Sequence, residues 1–206
     1  MRTPSFLAIV LMTACGPANI AGKVDGDKVT GATAAVYDDL EIDLGIVDWT
    51  AASVMVSSFP DTCDVVDLAL ELELDCEQRC EDLVDMAAEH SLGEREWTLT
   101  LTLVADNDLE ETYDFDSAPE DDEFNSVFSW WDTAPLRDQD LCEEACEAGE
   151  LLDSSSDNAV GGEVVVHGLD DQILTGQFDV DFPGNDALKG SFRADHCDMT
   201  SWLLFR

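Results

Sequence analysis

The spacing of the cysteines constrains this chain more than any other feature. Seven are present. Cys15 stands alone near the start, and Cys63, Cys76, Cys80, Cys142, Cys146 and Cys197 follow. Four of these make two copies of one pattern, CEQRC at Cys76 to Cys80 and CEEAC at Cys142 to Cys146. Residues four apart on an α-helix stand one above the other on the same face, so a helical CX3C presents both sulfurs to one neighbour. Both copies lie in helix-forming surroundings. From Asp64 to His90, Ala69, Leu72, Cys76, Cys80, Leu83 and Ala87 fall on one stripe at helical spacing. The second segment, RDQDLCEEACEAGELL, is shorter and has acids near its start, where the helix dipole favours them. Helices are therefore expected near residues 64–90 and 138–151. Two such faces packed together would let both cysteines of one helix meet both of the other.

This arrangement resembles the twin CX3C hairpin of small disulfide-stapled helical proteins, on these two short motifs only. The expected bonds are Cys76 with Cys146 and Cys80 with Cys142, if the helices run antiparallel. Cys63 is then left for Cys197, closing a loop worth about 3 to 5 kcal/mol in the chain-entropy account. Two alternatives stand beside this pairing. Each CX3C could bond within itself, although a straight helix aims those side chains poorly. Four thiols on two helices could instead build a tetrahedral zinc cage, with His196 beside Cys197. Familiar zinc spacings are tighter, CX2C, and an exported chain oxidises such thiols. No metal or other cofactor is therefore expected.

Export is read from MRTPSFLAIVLMTACG. A positive tip, an apolar core from Phe6 to Met12, and the small residues Thr13 and Ala14 lead directly into Cys15. The order Met12-Thr13-Ala14-Cys15 resembles the lipobox of bacterial lipoproteins. That resemblance implies a signal peptide over 1–14, cleavage before Cys15, acylation of Cys15, and a lipidated tether over 15–19 ahead of a domain spanning 20–206. It also implies membrane attachment through the acyl chains, since more than one chain is needed for stable anchoring. In that family an Asp after the lipidated cysteine favours the inner membrane. Gly16 stands there, so the outer membrane is expected, with the face left open. The alternative is an ordinary buried strand at Phe6 to Met12 with Cys15 as a core thiol.

Charge narrows the partners. The chain carries 47 Asp and Glu against 9 Lys and Arg, a formal charge of −38, and no acid occurs before Asp25. Such a surface repels nucleic acid, so no nucleic-acid partner is expected. Adaptation to a salty medium, a dispersed surface for divalent cations, and a docking surface for a basic envelope protein would each produce the excess. The composition resembles that of halophile proteins, and a solvated acidic face needs no ligand.

The rest of the sequence reads as β. A hairpin is expected from Ile20 to Val24 and Thr33 to Tyr37, with a strand over 53–59. EWTLTLTLVADNDLEETYDF alternates strictly and turns at DND, giving a second hairpin. In the last third, Leu174, Gly176, Phe178, Val180 and Phe182 share one face, and Leu188, Gly190, Phe192 and Ala194 share another. With Val164 to Val166 and turns at GLDD and PGND, these make a three-strand antiparallel meander. Gly176 and Gly190 suggest a bulge or the close approach of another element. The fold class is mainly β (α+β): a single antiparallel β-sandwich or open barrel with two inserted helices stapled by disulfides. The GxVxG near the anchor and the LxGxFxVxF…LxGxFxxxxC pattern resemble uncharacterised acidic lipoproteins of myxobacteria-like Gram-negative bacteria. This likeness implies a β-rich lipoprotein domain and no activity.

No catalytic residue is assigned. None of His90, His167 and His196 sits in a recognised catalytic frame. His90 suits a helix C-terminus and His167 a strand end. Asp106 to Glu111 could hold calcium weakly at a turn. Residues 117–140 read as an irregular excursion laying Phe124, Phe128, Trp130 and Trp131 over the core, with exposure to carbohydrate or a partner as the alternative. The expectation is a non-catalytic structural or interaction lipoprotein; the alternative is an envelope lipoprotein binding a small ligand or divalent cation.

Overall fold

The computed structural model describes residues 17–43, 48–65, 75–105, 109–115, 124–151, 154–170 and 172–197. The lipobox, Cys15 and the 15–16 part of the tether lie outside them. The strands are β1 (Ala18–Val24), β2 (Asp27–Val29), β3 (Ala34–Asp43), β4 (Asp48–Ser57), β5 (Arg95–Ala105), β6 (Thr112–Phe115), β7 (Phe124–Asp132), β8 (Ser154–Asn158), β9 (Gly161–Asp170), β10 (Ile173–Phe182) and β11 (Asp186–His196). The helices are α1 (Cys76–Glu89) and α2 (Gln139–Ala148), and residues 62–65 are also helical.

All these strands join one curled sheet in the order β6-β9-β10-β11-β3-β4-β5-β7-β8, with β1 alongside β11 and β2 alongside β1. Every pairing is antiparallel except a short parallel contact of Asp195 and His196 with Val36 and Tyr37. The segment after β8 ties distant parts of the sheet together. Ala159 N–H donates to Ser126 O at 2.9 Å, and Val160 N–H donates to Asp181 O at 2.8 Å. The inner faces enclose a single main core: Val54, Leu99, Leu101, Leu103, Phe128, Val164, Leu174, Val180 and Leu188 are all fully buried there. Phe128 on β7 meets Phe182 on β10 edge to face, with centroids 6.2 Å apart. The architecture is thus mainly β, an open barrel rather than a sandwich of two sheets.

The repeated LxGxF pattern has a direct packing cause. In the β10–β11 ladder, Gly176 lies opposite Phe192 and Phe178 lies opposite Gly190. Each ring occupies the space that the facing glycine leaves empty. A Cβ on Gly176 would fall 2.5 Å from the Phe192 ring, and one on Gly190 would fall 2.6 Å from the Phe178 ring. Two antiparallel copies of one motif therefore interlock, large against small, on the same inner face.

Several boundaries differ from the sequence reading. The first hairpin is β1 with β2, not residues 33–37, because Asp25 and Gly26 both adopt positive φ (53° and 78°) and close a two-residue turn at once. β3 pairs instead with β4. β5 and β6 do not form a hairpin: β5 pairs with β4 and β7, and β6 with β9. Residues 106–108, the expected turn and the first half of the calcium-binding candidate Asp106 to Glu111, lie outside the described residues. The excursion over 117–140 contains β7, a strand paired on both sides. Its alternation was masked because Ser126 shares the inner face with Phe128 and Trp130, while Val127 and Trp131 share the other. α1 begins at Cys76, where Asp75 accepts from Gln78 N–H at 3.0 Å, not at Asp64. Residues 66–74 are outside the described set. α2 is capped by Asp138 and ends at left-handed Gly149.

Replacing Gly176 with Val should destabilise the fold by about 1 to 3 kcal/mol, the usual cost of overpacking. Urea unfolding without reductant measures this. Adding Phe192→Leu in the same chain should restore part of the loss, because the smaller side chain vacates the contested space.

Candidate functional site

Two regions concentrate chemistry: the disulfide staples and a cleft at one mouth of the barrel. The structure joins Cys76 to Cys146, Cys80 to Cys142 and Cys63 to Cys197, across 70, 62 and 134 residues. The first two cross-link α1 and α2 as an antiparallel pair. The reason that such distant motifs meet is the β5–β7 ladder, in which Arg95 lies opposite Asp132. α1 runs into β5 and β7 runs out towards α2 at the same end of the sheet. Thr133 clamps that junction: its N–H donates to Glu94 O at 3.1 Å and its hydroxyl to Gly93 O at 3.1 Å. Cys80, Cys142, Leu83, Ala87 and Leu136 then form a small second core.

The cysteines are joined in pairs, so the two helices carry no all-thiolate cage. Among the described residues no group of three or more His, Cys, Asp and Glu is arranged to hold a metal ion. The histidines are scattered. His90 caps α1, and its Nε2 lies 3.0 Å from Asp61 Oδ2. His167 is exposed on β9. His196 sits edge-on to Tyr37, with Nε2 3.8 Å from Asp38 Oδ1, and its neighbour Cys197 is bonded to Cys63.

The mouth cleft is built from strand ends. Arg95, at the start of β5, is on the same row as Trp97, one of the core residues. Its guanidinium lies 4.2 Å from the centroid of the Trp130 ring, and its Nη1 donates to Asp27 Oδ2 at 3.0 Å. Arg95 thus reaches across from β5 to β2 and covers the indole. Below it, Phe128 packs edge to face against Trp130 at 5.1 Å. Trp130 Nε1 is buried and makes no hydrogen bond among the described residues. Trp131, on the opposite face, donates its indole N–H to Thr98 Oγ1 at 2.9 Å. The cleft above has a volume of about 490 Å³ and is lined by Glu94, Arg95, Trp130, Asp132, Ser154 and Ser155. Its charges are matched locally. Glu94 receives Arg137 Nη1 at 3.0 Å, and Asp132 Oδ1 accepts the Ala134 N–H at 2.9 Å.

A second hollow, of about 320 Å³, lies over Glu163, Gln177, Asp179 and Lys189. There Asp179 raises the pKa of Lys189 above the ordinary lysine value, first by accepting its hydrogen bond and then by its charge. This exposed pair makes a modest contribution at most.

The sequence reading singled out Trp130 but missed Arg95, Asp27, Ser154 and Ser155. An arginine opening a strand and a serine run carry no motif; only strand register places them together. Comparison with family models, curated proteins and solved structures finds no match for this chain.

The staples differ in access, which orders their chemistry. Cys80 and Cys142 are fully buried, whereas Cys76 and Cys146 are partly exposed. A dithiol reductant under native conditions should therefore open Cys76–Cys146 before Cys80–Cys142, as read by timed alkylation and peptide mass mapping. Removing the Cys63–Cys197 bond by a paired serine substitution should cost about 5 kcal/mol in the entropic account, measured by denaturant unfolding.

Proposed function

We propose that this chain is an exported, lipid-anchored envelope protein whose stapled barrel serves as a non-catalytic structural or interaction module. The observation that carries the reading is the set of three disulfides joining residues far apart in sequence. Such bonds form and persist in an oxidising compartment. The lipobox-like Met12-Thr13-Ala14-Cys15 supplies the route and the anchor, and Gly16 favours the outer membrane. The buried apolar core of the barrel fits a rigid scaffold, and its acidic surface fits a partner with a basic face or a salty medium. A second reading, a small-ligand-binding lipoprotein, is favoured by the mouth cleft over Trp130. The cation-binding half of that reading has no comparable support among the described residues.

Intact mass of the protein from a membrane fraction tests the main reading, before and after alkylation without reductant. The expected result is a chain beginning at Cys15, heavier by two or three acyl groups, with no alkylation until reductant is added. Cys15→Ala should abolish the acyl mass and move the protein out of the membrane fraction. A chain still beginning at Met1, or one alkylated at several cysteines before reduction, would overturn the export reading.

A further inference from the structure

The mouth cleft has a composition that selects one class of ligand. Its volume of about 490 Å³ falls within the usual range for small-molecule sites, roughly 300 to 1,000 Å³. Its charged groups are already answered: Arg95 by Asp27, Glu94 by Arg137, and one oxygen of Asp132 by a backbone N–H. An anion entering it would meet the field of a chain with a net charge of −38. A cation would meet the guanidinium of Arg95 on the floor. Neither sign of charge is therefore favoured.

Hydrogen-bonding capacity, by contrast, is plentiful. The Ser155 hydroxyl, which the β7–β8 register places on the Trp130 face, and the carboxylates of Glu94 and Asp132 line the same cleft as Arg95. Only one hydrogen bond engages the Arg95 side chain among the described residues, so most of its five donors are uncommitted there. Donors and acceptors side by side match vicinal hydroxyls, each of which gives and takes a hydrogen bond. On the floor the planar guanidinium of Arg95 lies over the Trp130 indole, and its outer face supplies a flat surface for the C–H face of a sugar ring. All of these groups stand on the paired strands β5, β7 and β8 or beside them, which fixes their spacing before a ligand arrives.

We propose that the cleft over Arg95 and Trp130 binds a neutral saccharide unit. This names a ligand class for the interaction role proposed above and rests on that role, but it does not depend on the anchor. The unit is either a free sugar or the end of a polysaccharide, since both present the same hydroxyls.

The test uses the full chain purified from cells in a sugar-free zwitterionic detergent, with its tryptophans labelled with nitrogen-15. The Trp130 indole N–H signal is identified with Trp130→Phe. It is then followed during titration with glucose, galactose, N-acetylglucosamine and their β-linked dimers, with glucuronate as the anionic comparison. At least one neutral sugar should shift the Trp130 signal saturably at millimolar concentration or below, and glucuronate should bind more weakly. Arg95→Lys and Ser155→Val should each weaken binding at least tenfold without lowering the melting temperature by more than a few degrees. Co-sedimentation with an insoluble polysaccharide separates the two sources: a surface glycan carries the protein down, whereas a free-sugar ligand leaves it in solution. The proposal is overturned if no neutral sugar moves the signal, if both variants bind as the parent does, or if glucuronate binds best. An acylated protein that ignores every sugar sinks this inference alone and leaves the anchor intact.

Discussion

The pairing of β5 with β7 is the constraint on which the rest of the structure depends. Register between Arg95 and Asp132 brings together two chain ends that are otherwise far apart in sequence, and both ends carry helices with cysteines on one face. Without that ladder, the CX3C motifs would have no reason to meet. With it, two disulfides lock α1 to α2, and the small core around Leu83 and Leu136 can form beyond the sheet. The same register also places Trp130 beside Trp97 and Arg95 above the indole. Scaffold and cleft are two results of one set of backbone hydrogen bonds.

Local patterns in the sequence carried information in proportion to how local their causes were. The C-terminal meander was legible because its strands follow one another through short turns, and the large-small alternation of LxGxF survives in both copies. The amphipathic stripe of α1 was legible for the same reason, although its start was not: Asp75 caps the helix from within a run of good helix formers. β7 was hidden. Its inner row mixes Ser126 with Phe128, and strands with serine on the core side lose the period by which they are recognised. Its neighbour β8 is SSSDN, which reads as loop by composition and becomes a strand because β7 offers an edge.

The cleft was the least legible part. Arg95, Trp130, Asp27 and Ser154 come from four strands, and only the curl of the sheet puts them at one mouth. No spacing rule relates residues 27, 95, 130 and 154. The net acidity, readable at once, had little bearing on this site, since Arg95 in it and Arg137 beside it are each matched to a carboxylate. Global charge described the solvent-facing shell, while local pairing set the character of the cleft.

The bond between Cys63 and Cys197 also has a mechanical consequence. It joins the segment after β4 to the residue after β11, so the chain between them, a sequence separation of 134, forms a covalently closed loop. Tension applied between the two ends of the chain passes through this bond and bypasses β5 to β11 and both helices. Among the described residues, only the stretch before Cys63 can lengthen under such a pull. The ladder of β1 with β11, reinforced by Arg193 N–H donating to Pro17 O at 2.7 Å, is the first joint to bear it. A protein held at its amino end would thus transmit strain into four strands and shield the rest, including Arg95, Trp130 and the stapled helices, from being drawn out.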